Sequence, residues 1–313
     1  MSDHATARIT AIAPWFGGKR TLADAIIEEL GPHRAYWEPF CGSMAVLLGK
    51  PACSHETVCD LHGDLVNLAM VLASDRWADI ADRLGRTLVC EGLFNSCRLA
   101  LSASSGSRLD VPASPAEVTQ AHVHRAWLYF VVSWAGRNGV SGTRRDNYQM
   151  AIRWTPSGGS GGTRFCSAAD SVPVWHERLR RVVILNRDAF GILEKIDDAE
   201  GVAIYADPPY LMSTRGSGRV TAHPGGSNYL FDFQPLDHVR LAELLGRFRR
   251  ARVVVSYYDD PQLDELYPAS RWTRRAIKAN KNLHVQNRRG STKAVAPEVL
   301  LTNGPSYAEG MNA

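Results

Sequence analysis

Apolar residues fall along this chain in two patterns, a helical spacing and short continuous runs. Near the N-terminus Leu22, Ile26, Ile27 and Leu30 fall three and four positions apart, which predicts one buried face of a helix. Residues 34–40 then read as a strand, and residues 56–60 as a second, short strand that ends on an acid. Helical spacing resumes at about Leu65 and runs through several predicted helices to about Trp134. Continuous apolar runs return at residues 181–185, 201–206 and 252–256, the form taken by strands buried on both faces. A helix through Leu241, Leu244, Leu245 and Phe248 separates the last two, and residues 298–302 are a further strand candidate. Strand and helix alternate on both sides of a break, which predicts an α/β fold with a twisted, mostly parallel sheet covered by helices.

The break itself is rich in Gly, Ser and Arg, with Gly136, Gly139, Gly142 and the Gly/Ser run at 157–162. Such a stretch interrupts the rhythm as an insertion with mobile loops does. The chain is therefore read as residues 1–64 and 176–313 forming one sheet-bearing domain, with 65–175 inserted and mostly helical. At 313 residues, one large domain plus a smaller insert is the expected organisation.

Composition narrows the class. With 45% hydrophobic and 22% charged residues the chain can bury a sizeable core. No apolar run approaches the ~20 residues that cross a bilayer, and the first eight residues lack a signal-peptide pattern. The six cysteines contain no C-x-x-C pair, which suggests neither a zinc cage nor a disulfide framework. A cytoplasmic location is expected. The net charge of +4 says little, but its distribution says more. From Arg108 to Arg187 eleven arginines face five acids with no lysine, and from Arg240 to Lys293 thirteen basic residues face five acids. Guanidinium groups donate in pairs to phosphates and base edges, so nucleic acid is the expected partner over a merely solvated basic surface.

The most informative local feature is Asp207-Pro208-Pro209-Tyr210, directly after the strand candidate at 201–206. Two prolines cannot donate ladder hydrogen bonds, so the strand must stop there. An acid is thereby delivered at a strand's carboxyl end, where open α/β sheets bind ligands. A carboxylate, fixed backbone carbonyls and a stacking ring suit an exocyclic amino group on a flat heterocycle. Four weaker elements accompany it. Trp15 stands beside the paired Gly17 and Gly18 and Lys19, which permit close backbone approach to a ligand. Its Gly-Lys step is not a P-loop, because Ala13 stands where the first glycine belongs and Arg20 replaces the Ser/Thr. Glu38, Pro39, Phe40 and Gly42 form a strand running into a small-residue turn. Asp60 closes the next strand about twenty residues on, either as a helix cap or as an acceptor for ribose hydroxyls. Asp188 follows another strand and can accept from an adenine amino group, with Phe190 beside it read as core.

In this order, these motifs resemble those of the Dam-type DNA adenine-N6 methyltransferases, over most of the chain outside residues 65–175. The cofactor motif precedes the catalytic tetrapeptide with the insertion between them, as in that family's alpha class. The resemblance implies a Rossmann-like S-adenosylmethionine-dependent methyltransferase sheet, with the insertion as target-recognition domain. It implies S-adenosylmethionine as methyl donor, held by Trp15, Gly17, Gly18, Lys19, Glu38, Pro39, Phe40, Gly42, Asp60, Asp188 and Asp207. It makes Asp207, Pro208, Pro209 and Tyr210 catalytic, with Tyr210 stacking on an extruded adenine. One departure is Met44, where family members often carry a second glycine.

The same resemblance implies double-stranded DNA as partner and, for a restriction-linked member, a cognate restriction endonuclease; no membrane is expected, from the lack of a long apolar run. One flipped base per chain is compatible with a monomer. Arg137, Asn138, Arg144 and Arg145 occupy the region where the family places DNA-reading residues, though such side chains also serve phosphates. The segment between Leu211 and Phe233 is read as a lid or DNA-contacting loop. No metal is expected, since His122 and His124 lie two apart in a predicted helix and face different ways. Cytosine-N4 methylation uses the same chemistry, often with Ser in place of the Asp, and an idle DNA-binding scaffold is a further alternative; the intact tetrapeptide favours an adenine enzyme.

Overall fold

The computed structural model describes residues 9–15, 17–103, 110–137, 149–152, 160–211, 232–277 and 298–310. Among these, seven strands form one sheet: β1 (Ala35–Glu38), β2 (His55–Cys59), β3 (Val183–Leu185), β4 (Val202–Ala206), β5 (Arg252–Tyr258), β6 (Thr273–Ile277) and β7 (Glu298–Thr302). Their order across the sheet is β3-β2-β1-β4-β5-β7-β6. The first five run parallel, and β7 lies antiparallel between β5 and β6. Chain order reverses between β1 and β4, so the carboxyl ends of these two strands flank a topological switch point. This is the expected Rossmann-like α/β sheet, mostly parallel.

The helices are α1 (Ala23–Leu30), α2 (Ala45–Gly49), α3 (Gly63–Ala73), α4 (Trp77–Gly85), α5 (Glu91–Ala103), α6 (Gln120–Ala135), α7 (Gly161–Ala169), α8 (Val172–Leu179), α9 (Ala189–Leu193), α10 (Pro235–Gly246), α11 (Gln262–Leu266) and α12 (Tyr307–Gly310). Successive strand residues point to opposite faces, and the two cores follow that period. Tyr36, Ala203, Tyr205 and Val254 join a core with residues of α1 to α8. Ile204, Ala206, Val253 and Val255 join another with α9, α10 and α11. Both faces of β4 and β5 are thus covered, which explains their continuous β-branched and aromatic runs.

The helices at 63–135 and 161–179 share the first core with the sheet. Indole donors tie them to the N-terminal segment: Trp134 Nε1 donates to the Ile12 carbonyl at 3.1 Å and Trp175 Nε1 to the Ile9 carbonyl at 2.8 Å. Helix α6 starts at a capping box in which Thr119 and His122 satisfy each other's backbone N–H groups.

One local expectation is corrected, and one strand was not expected. Gly161 and Gly162 are not loop residues: they open α7, because the Ser160 hydroxyl accepts from the Thr163 N–H at 3.1 Å and caps it. Strand β6 has no apolar run; its Thr273–Ile277 sequence alternates as an edge strand does, and only pairing with β7 makes it visible.

Candidate active site

The carboxyl ends of β1, β2 and β4 open into a cleft of about 410 Å³, within the ~300–1,000 Å³ usual for small-molecule sites. Its walls include Trp15, Gly18, Lys19, Glu38, Pro39, Phe40, Gly42, Asp60, Asp188, Asp207 and Pro209, all expected from sequence. Gly17 contributes through its carbonyl, which holds Lys19 Nζ at 2.7 Å. Pro208 and Tyr210 do not border the cleft, and neither does Arg137, which is exposed. Arg137 and Gln149 pair through backbone at 2.9 Å beside a Gly136–Met150 bridge. Asn138, Arg144 and Arg145 lie outside the described residues, as do residues 212–231 of the expected lid. The far end of that segment is described, and Asp232 and Phe233 line the cleft.

On one side the turn after β1 is held open by a glycine and an acid. Gly42 has φ +44°, and a Cβ there would meet Trp15 Nε1 at 2.8 Å. The Gly42 N–H donates to Asp60 Oδ2 at 2.8 Å, and the His62 N–H donates to Asp60 Oδ1 at 2.8 Å. Burial raises the Asp60 carboxyl above its ordinary range, opposed by these backbone donors. Met44 follows in the left-handed conformation at φ 60°, fully buried, which explains why a glycine suits that position. Asp188 Oδ1 caps α9 by accepting from the Phe190 N–H at 2.8 Å. Phe190, expected in the core, is both buried and part of the cleft wall, with Phe233 stacked on it at 5.5 Å and meeting Phe40 edge-on at 5.6 Å.

On the other side Asp207 stands just past β4, where Pro208 and Pro209 end the strand. Its Oδ1 accepts from the Ser256 hydroxyl at 2.7 Å, and Ser256 in turn meets the Tyr205 hydroxyl at 3.0 Å. Its Oδ2 lies 2.9 Å from Lys19 Nζ, which also lies 3.2 Å from Glu298 Oε1. Burial raises the Asp207 carboxyl, Lys19 pulls it down, and Glu298 pushes it up. Its side chain keeps 20% of its surface open. Tyr210 donates its hydroxyl to Glu298; its ring meets Tyr258 edge-on at 4.6 Å, with Lys19 Nζ 4.9 Å from its centroid. Glu38, in the cleft floor, accepts from the Tyr36 hydroxyl at 2.9 Å, and burial pushes its carboxyl up to about 8.

Sequence reasoning missed Ser256, Glu298, His62 and Phe233. A lone hydroxyl among the valines of β5 and an acid opening the apolar run of β7 were the available signals. His62 places its ring 5.4 Å from Trp15 and 5.6 Å from Tyr129 at the cleft wall, a contact between distant elements.

Among the described residues, no group of three or more His, Cys, Asp or Glu could hold a metal ion, and no helix is long and apolar enough to cross a membrane. No curated protein matches the chain significantly. Residues 15–96 match the family model of the D12 class N6 adenine-specific DNA methyltransferases. The match takes in Trp15, Gly17, Gly18, Lys19, the turn at 38–42 and Asp60; Asp188 and residues 207–210 lie beyond it, on the same cleft or directly behind it. With this sheet and this order of motifs, the chain is similar, over residues 15–96, to the D12 class N6 adenine-specific DNA methyltransferases.

Proposed function

We propose that the cleft binds S-adenosylmethionine and that Asp207 presents to it the amino group of an adenine extruded from double-stranded DNA. The observation carrying this reading is the Asp207 carboxylate, fixed at both oxygens by Ser256 and Lys19 in the wall of one cleft with Asp60 and Asp188. The residues suit this donor: two acids for ribose and adenine, aromatic walls from Trp15, Phe40, Phe190 and Phe233, and a glycine turn that admits backbone contact. When bound, S-adenosylmethionine supplies a methyl group activated by a sulfonium centre.

The chain's own residues do the rest. An adenine amino nitrogen is a poor nucleophile because its lone pair is delocalised into the ring. Asp207 accepts one of its two hydrogens and the Pro208 carbonyl, once turned toward the cleft it does not now border, the other; this directs the lone pair to the donor, and Asp207 stabilises the positive charge that develops on nitrogen. No cysteine nucleophile takes part: burial raises both the Cys41 and Cys59 thiols, which keeps them protonated. Extrusion costs a few kcal/mol of unstacking, and stacking on Tyr210 offsets about 1–3 kcal/mol. That stacking requires the Tyr210 ring to be uncovered, since it is now 4% exposed with Lys19 near its face. In this reading residues 65–175, with Arg137, Asn138, Arg144 and Arg145, supply the target-recognition part, and the protein acts as a monomer, alone or beside a cognate restriction endonuclease.

The test is tritiated methyl transfer to unmodified DNA followed by nucleoside analysis. Asp207→Ala is expected to lower turnover by at least about 10²–10³-fold, with DNA binding retained. Near-normal turnover in that variant would remove Asp207 from this role.

A further inference from the structure

Strand β7 runs antiparallel, so its first residue arrives at the carboxyl ends of the parallel strands, where Glu298 pairs in register with Tyr258 of β5. Glu298 is 7% exposed. Its Oε1 receives both the Tyr210 hydroxyl and, at 3.2 Å, Lys19 Nζ. The Lys19 ammonium, 6% exposed at the side chain, has a Gly17 carbonyl at 2.7 Å and Asp207 Oδ2 at 2.9 Å as further acceptors. One buried cation is therefore shared by two carboxylates. Paired with Asp207 alone, Lys19 would neutralise the acceptor that the target amino group needs. Sharing leaves the Lys19–Asp207–Glu298 cluster with one excess negative charge, which favours positive charge developing beside Asp207.

We propose that Glu298 is a positioning residue of the methyl-transfer centre: it draws Lys19 partly away from Asp207 and anchors Tyr210, so that one carboxylate oxygen holds both the cation beside the acceptor and the stacking ring. This rests on the reading of Asp207 as the amino-group acceptor. Glu298 does not line the cleft; it acts through Lys19 and Tyr210.

Among the described residues, the charged and titratable groups facing Asp207 are Lys19, Glu298 from β7, Tyr205 from β4, Glu38 from β1, Tyr258 from β5 and Tyr210. Glu38 keeps its proton to about pH 8 and so adds no charge beside Asp207 below that. Removing the Glu298 charge makes Asp207 easier to ionise; removing Lys19 makes it harder.

The experiment is single-turnover methylation of DNA by the full chain from pH 5 to 8, with donor affinity measured by calorimetry. Glu298→Gln is expected to slow the step at least about tenfold, to leave donor affinity within about twofold, and to move the acidic limb of the rate profile to lower pH. A slower rate with an unmoved limb means a merely structural role and overturns the proposal, as does a wild-type rate. If Glu298→Gln does not fold, Lys19→Gln carries the test: the limb must move to higher pH, and an unmoved limb overturns the proposal. The two readings fail separately. An active Asp207→Ala removes the acceptor role, whereas an inactive Asp207→Ala with an unchanged Glu298→Gln removes only the role of Glu298.

Discussion

The Ser256 hydroxyl donates to Asp207 Oδ1 at 2.7 Å, so the acid after β4 is oriented by the neighbouring strand β5. The same hydroxyl meets Tyr205 at 3.0 Å, and Ser256 is fully buried. Ser256→Ala leaves two buried polar groups short of a partner, at a cost of about 1–3 kcal/mol each. Turnover is expected to fall about tenfold with donor KM little changed, because the carboxylate loses orientation rather than the cleft losing shape. Steady-state kinetics with donor titration check this, and a raised KM at unchanged kcat would contradict it.

Gly42→Ala acts on the opposite wall. The added methyl would meet Trp15 Nε1 at 2.8 Å in a left-handed backbone, so either the indole or the turn must shift. Because the Gly42 N–H also holds Asp60, donor affinity should fall by at least about tenfold while the sheet stays folded. Calorimetric titration of S-adenosylmethionine, with indole fluorescence as a report on Trp15, decides the point.

Met44 sets two effects against each other. Its left-handed backbone costs about 1–2 kcal/mol, which Met44→Gly would relieve. Its fully buried side chain contributes about 2–5 kcal/mol against truncation. Burial wins, so Met44→Gly is expected to lower Tm, and a raised Tm in thermal unfolding would show that strain dominates.

Glu38 predicts a pH dependence. Folded, it holds its proton to about pH 8; unfolded, a glutamate releases it near 4.5. The native state thus binds the extra proton between these values, and stability from this group is complete below about 4.5 and declines as pH rises toward 8. Glu38→Gln removes that decline. The variant should therefore gain stability over the wild type steadily from pH 5 to 8 in denaturant melts, and a constant difference across that window would exclude a buried, protonated Glu38.

Much of this arrangement was legible one residue at a time. Apolar spacings of three and four placed most helices, and short continuous apolar runs most strands, since backbone geometry repeats over neighbouring residues. The Pro208-Pro209 stop, the acids at 60 and 207 and the glycine turn at 42 are local statements that local chemistry enforces. So too is the Met44 departure, whose meaning is a backbone angle. Phe190 is core, as expected, and cleft wall besides; its second role shows only through the neighbouring Phe40 and Phe233.

By itself, then, the sequence determined the alternation of strands and helices, the acids at the strand ends and the chemistry they suit. Tertiary structure alone decided that Lys19, Asp207, Ser256 and Glu298 meet. Those four come from the N-terminal turn, β4, β5 and the antiparallel β7, and strand order and direction are chosen by burial of non-local surface. No local period records which buried polar side chain will face which. The acid opening β7 meets Lys19 and Tyr210 only because that strand runs against its neighbours.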